Sequence, residues 1–197
     1  MIIVRRELVA IVVSLLLGAA ACSADVTGAD ALALQAEALS SSCAPAVPDA
    51  LKVPEGNKLD FVADAEGVQI YVCQAAADGS AAWTLKAPDA QLFGKRGRLI
   101  GIHYAGPTWE GLDGSTVVGA RVAAAPSPDP SAIPWLLLSA ASNTGHGLMS
   151  KVTFIQRLDT VGGLAPQTGC DADHLGATVE SEYSAAYYFY KATRGRH

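Results

Sequence analysis

The sequence predicts an all-β fold: one antiparallel β-sandwich or barrel-like domain behind an N-terminal signal peptide and a flexible tether. Three observations predict it. Beyond residue 43 no segment keeps a 3.6-residue apolar period for three turns, so no long amphipathic helix is written there. Several short runs rich in β-branched, aromatic or leucine residues are bounded by Gly, Pro, Asn or Asp, as strands are. Between the runs lie ADGS, GLDGS, SNTGHG and TVGG, whose residues tolerate the positive φ of tight turns.

The elements follow in chain order. GVQIYVCQ alternates, with Val68, Ile70 and Val72 on one face and Tyr71 and Cys73 on the other. RLIGIHYAG groups Ile100, Ile102 and Tyr104 and sends His103 to the opposite face. STVVGARVAAA, PWLLLSAAS, KVTFIQRLD and YSAAYYFYKA supply further strands. APSPDPSAIP, residues 125–134, carries four prolines and reads as a surface loop between two strands. Spacing of this kind does not separate a sandwich from a barrel.

The chain begins with a targeting segment. MIIVRRE supplies two arginines, and the uncharged run from Leu8 to Ala21 is shorter than the roughly 20 apolar residues of a membrane span. Small residues then precede Cys22, the pattern a lipoprotein signal peptidase reads, with ordinary cleavage after Ala21 as the alternative. The expected organisation is a signal peptide over 1–21, an Ala- and Ser-rich tether over 22–42, and a β domain over 43–197. The protein is thus expected to be exported and held at the cell envelope by a lipid on Cys22. Ser23 and Ala24 offer no acidic retention signal, which points to the outer membrane in a diderm cell; secretion is the alternative.

Export permits disulfides. Of the four cysteines, Cys73 and Cys170 are expected to pair; Cys22 and Cys43 form a second pair only if Cys22 is not lipidated. The net charge of −5, with no basic cluster outside the signal and the final RGRH, argues against nucleic-acid binding. The remaining length suits one domain, expected as a monomer.

One stretch carries more chemistry than a turn needs. HYAGPTWEGLDGS, residues 103–115, gathers His103, Tyr104, Trp109, Glu110 and Asp113. Read functionally, Trp109 offers a flat face to a small-molecule or glycan ligand, and Glu110, Asp113 and His103 supply polar or acid–base groups. Read architecturally, Trp109 plugs the end of the fold and Asp113-Gly114 closes a turn. Trp83 and Trp135 are expected to face the core. No paired-histidine spacing exists, and CDADH at residues 170–174 lacks a calcium-loop pattern, so neither metal nor cofactor is expected. No GxSxG marks a serine nucleophile. The favoured function is an envelope-associated ligand-binding module without catalytic activity; the alternative is a secreted hydrolase using Glu110 with Asp113 or His103.

Several of these motifs together resemble a known family. GVQIYVC, WTLKAPDAQLF, GIHYAGPTWEGLDGSTVVG, IPWLLL, KVTFIQRLDTVGGLAPQTGCD and YSAAYYFY are similar in order and wording to the domain-of-unknown-function 3455 family, over roughly residues 45–192. Its members are secreted or lipid-anchored microbial proteins. The resemblance implies a shared fold and carries over no activity, cofactor or catalytic residue. Cys73 and Cys170 fall within the shared motifs; Cys22 and Cys43 do not.

Overall fold

Long alternating strands with short turns can only satisfy their backbone groups by pairing, and here the pairing closes on itself. A computed structural model describes residues 44–193; the expected signal peptide, the tether, Cys22 and Cys43 lie outside the described residues. Eight strands run β1 (Asn57–Ala75), β2 (Ala81–Gly94), β3 (Arg98–Tyr104), β4 (Thr108–Gly111), β5 (Thr116–Ala125), β6 (Trp135–Thr144), β7 (Val152–Gly162) and β8 (Thr178–Ala192). They pair antiparallel in chain order, and β8 returns to β1 along its length, from Asn57↔Ala192 to Val72↔Thr178. The fold is therefore a closed barrel, which resolves the choice left open by the sequence. Among the described residues no helix is long and apolar enough to cross a membrane.

Two strands have no counterpart in the sequence reading. β4 lies inside the stretch read as a turn. β2 contains Pro88, which cannot donate to a ladder; it is tolerated because β2 pairs with β3 only from Ala90 onward. The proline-rich 125–134 loop does connect two strands, β5 and β6.

The interior is filled by alternating residues of every strand. Trp109, Tyr187, Phe189, Leu92 and Ile155 are buried there, and Ala63, Ala65, Ala90 and Ala185 give the large rings room. Gly119 is required by one of those rings: a Cβ on it would sit 2.8 Å from the Trp109 indole.

One barrel end is closed by the loop between β6 and β7. Met149 from this loop is fully buried in the core. The turn before β5 holds it: the Ser115 Oγ accepts from the Met149 N–H at 2.9 Å, and the Asp113 carboxylate accepts from the Leu148 N–H at 2.8 Å. Asn143 donates to the Met149 carbonyl at 2.9 Å. Outside the wall, the segment before β1 lays Leu51 against Leu137 and Leu158. Buried Gln156 fixes it by donating to the Leu51 carbonyl at 2.7 Å.

Candidate functional site

The other barrel end is open because β3 and β4 are short. The β3–β4 pairing stops at Tyr104↔Thr108, whereas β2 continues back to Ala81 and β5 continues to Ala125. The upper parts of β2 and β5 thus face each other without a strand between them. Gly106, at φ 101°, and Pro107 form the sill of this opening. Beneath it lies a cavity of about 410 Å³, reached between Leu85–Pro88 of β2 and Arg121 and Ala124 of β5. That volume lies in the range of small-molecule sites.

Five strands contribute its chemically distinctive side chains: Gln69 from β1, His103 from β3, Trp109 from β4, Arg157 from β7 and Tyr187 from β8. His103 and Trp109 are cross-strand partners on the inner face. Their rings stack, with centroids 4.3 Å apart and planes 8° off parallel, and Tyr187 meets Trp109 edge-on at 5.4 Å. Nδ1 of His103 lies 2.8 Å from the Thr108 carbonyl, which only accepts, so Nδ1 carries the proton and Nε2 the lone pair. Burial pushes the imidazole pKa down to about 3; the Thr108 bond opposes the shift and the Arg157 charge adds to it. His103 is therefore a neutral ring at ordinary pH and a weak base.

Three cations line the cavity, Lys86, Arg121 and Arg157, and no aspartate or glutamate does. None of the three is in an ion pair among the described residues. Arg157 donates to the Pro134 carbonyl at 2.8 Å. The amide nitrogen of Gln69 and the hydroxyls of Tyr183 and Tyr187 are buried near Arg157 and one another, yet none reaches hydrogen-bonding geometry with a protein partner. Desolvation raises both tyrosine pKa values, so the hydroxyls keep their protons.

The residues singled out in HYAGPTWEGLDGS divide among three places. His103 and Trp109 line the cavity. Tyr104 and Glu110 lie on the outer face, where the Tyr104 hydroxyl donates to the Glu110 carboxylate at 2.9 Å and is held above its usual pKa by that bond. Asp113 belongs to the closed end, its carboxyl kept acidic by the Ser115 hydroxyl and the Leu148 N–H. Among the described residues no hydrogen bond joins Glu110 to His103 or to Asp113.

Three further expectations change with the structure. Ile102 and Tyr104 do face away from His103, but a bulge leaves Ile100 unpaired and it packs against the core. Trp109, read within a turn as either a ligand face or a plug, is 1% exposed in a strand. Trp83 and Trp135, expected in the core, are not there: Trp83 is half-buried and donates to the Thr168 carbonyl at 2.9 Å, and Trp135 packs on the outer wall beside Leu51. In CDADH, Asp171 caps a helical turn over Ala172–His174 and bonds His174 locally. No group of three His, Cys, Asp or Glu side chains capable of holding a metal occurs among the described residues.

Arg157, Arg121, Gln69 and Tyr187 were missed by the sequence reading. The signal was present for two of them: Arg157 stands two residues after Ile155, and Arg121 two after Gly119, each in phase with an inward face. A charge in an apolar phase marks an opening in a barrel.

The model of a family described as "Protein of unknown function (DUF3455)" matches residues 54–191. The chain belongs to this family. For this DUF3455 member the match takes in all eight strands apart from the last residue of β8, and every residue named in the cavity. The segment carrying Leu51 lies before it. No curated protein and no solved structure matches the chain.

Proposed function

We propose that this DUF3455 protein is an exported, lipid-anchored binding module that holds a small molecule in the open end of its barrel. One observation carries the binding reading: a solvent-reachable cavity lined by an aromatic stack, with buried polar groups on Gln69 and Tyr187 left unpartnered. Leaving buried donors unpaired costs roughly 1–3 kcal/mol each, and a bound molecule that meets them recovers this. Catalysis is not favoured, because the neutral His103 is a weak base and no carboxylate, serine or cysteine lines the cavity. The Cys73–Cys170 bond, with Cα atoms 5.3 Å apart, supports export, since such bonds persist in oxidising compartments.

Two measurements test the proposal. The purified full-length protein is titrated with N-phenyl-1-naphthylamine, a neutral apolar dye, while Trp fluorescence is followed. Saturable binding that Trp109→Ala abolishes supports the reading; no saturable binding of this dye or of an anionic dye with the same apolar body overturns it. Anchoring is tested by metabolic labelling with a palmitate analogue. The label should be lost in Cys22→Ser, and unlabelled protein free in the medium would overturn the anchor.

A further inference from the structure

The chemistry of the cavity is lopsided. Its mouth carries Lys86, Arg121 and Arg157 without a carboxylate among the lining residues, in a chain whose net charge is −5. Deeper in, the unpartnered groups are the amide N–H of Gln69 and the hydroxyl of Tyr187, on residues 2% and 1% exposed. Both donate. Arg157 bridges the two levels: it lines the cavity, spends one face on the Pro134 carbonyl, and its charge is felt at His103, Tyr71, Tyr183 and Tyr187. A guanidinium has five N–H donors, so one carbonyl leaves most of them free. The walls between are apolar or aromatic: Leu136, Leu138, Pro88 and the His103–Trp109 stack.

Resting on the small-molecule reading above, we propose that the ligand is an amphipathic organic anion, a carboxylate or sulfonate on an apolar or aromatic body. Its acid group sits between Arg157 and Arg121, and its body lies on the Trp109 indole. The physical reason is matching of functional groups. A site that offers three cations outside any ion pair among the described residues, together with N–H donors, and only neutral acceptors such as Nε2 of His103, favours an acceptor-rich anion over a cationic ligand. Charge-assisted bonds to a guanidinium in a partly desolvated mouth are the strong class of hydrogen bond, and Arg offers two at once in the plane of a carboxylate.

The test uses two dyes with nearly the same apolar body. 8-Anilinonaphthalene-1-sulfonate carries an anionic group, and N-phenyl-1-naphthylamine carries none. With the full-length protein at low salt, the sulfonate should bind roughly tenfold more tightly or better, and the advantage should shrink as salt is raised. Arg157→Gln and Arg121→Gln should each cut that advantage severalfold, as read from the ratio of the two dyes' affinities in each variant. Lys58→Gln, at the far end of β1, should change neither. Because Arg157→Gln also removes the Pro134 contact and can loosen the mouth, Arg121→Gln is the independent variant. Equal affinity for both dyes, or an advantage that survives both substitutions, overturns the anion assignment and leaves the binding module standing. Failure of both dyes to bind overturns the binding reading itself.

Discussion

The two ends of this barrel are built on opposite rules. At the closed end every polar side chain that matters is consumed: Asp113, Ser115 and Asn143 together hold the loop that drives Met149 into the core. At the open end the donors of Gln69 and Tyr187 are left over, beside Arg157 with its single protein acceptor. The same strands run through both ends. The difference comes from strand length: β3 and β4 reach the closed end and stop short of the other, so one end is sealed by side chains and the other is left for a ligand.

The largest effect that bears on this contrast concerns the open end's covalent tie. Cys73, near the end of β1, bonds Cys170 in the β7–β8 connection across 97 residues. Replacing both cysteines by serine should cost up to about 4–5 kcal/mol in the chain-entropy picture, measured by urea unfolding of the exported protein. A loss under about 1 kcal/mol would show that the open end holds without it.

Trp109 stands where the two ends meet, so truncating it tests both. Trp109→Ala should destabilise by about 3–5 kcal/mol through the void left against Tyr187 and Phe189. It should also abolish dye binding. Unchanged stability would place Trp109 wholly with the ligand site; unchanged binding would place it wholly with the core.

Acid sharpens the comparison further. The folded pKa of His103, about 3, lies below its ordinary 6.5, so as pH falls the unfolded chain takes up the proton first. Stability from this group is complete above about pH 6.5, falls by at most about 1.4 kcal/mol per pH unit, and stops changing once pH passes below the folded value. Arg157 acts in the same direction, and no carboxylate lines the cavity to oppose it. Between about pH 6.5 and 5 carboxylates contribute little, because aspartates with the ordinary value of 3.8 stay ionised in the unfolded chain there; below about pH 5 carboxyls depressed in the fold, such as Asp113, add to the loss. Unfolding free energy across that window should slope downward, and His103→Gln should flatten it whatever its own cost. A wild-type slope that survives this substitution would assign the acid sensitivity to another group.

The smallest effect belongs to the closed end. Ser115→Ala removes the acceptor of the buried Met149 N–H and should cost about 1–3 kcal/mol, with no change in dye affinity. A change in affinity would mean that the two ends are coupled.

Much of the scaffold was legible because it is local. Turn chemistry at DGS and at the proline-rich loop, and the strand-forming runs of six of the eight strands, depend on residues close together in the chain. β4 was hidden by its four residues between glycine-rich turns, and β2 by the proline that an unpaired edge tolerates. The site was half legible. His103 and Trp109 were singled out, but alternation separates two faces without saying which is inside. In β1 the ordinary preference points the wrong way: Val68, Ile70 and Val72 face outward, and Gln69, Tyr71 and Cys73 face in.

The sequence by itself determined an all-β chain, its family, the places of most turns and the pairing of Cys73 with Cys170. Each rests on local period, on turn preference or on motifs in order along the chain. Tertiary structure alone decided that the sheet closes, that His103 lies inside while Glu110 lies outside, and that Gln69, Arg157 and Tyr187 reach the same cavity. Those outcomes depend on β8 finding β1 across more than a hundred residues. Only closure turns one face of every strand inward, and only a short β3–β4 hairpin leaves that interior open to solvent.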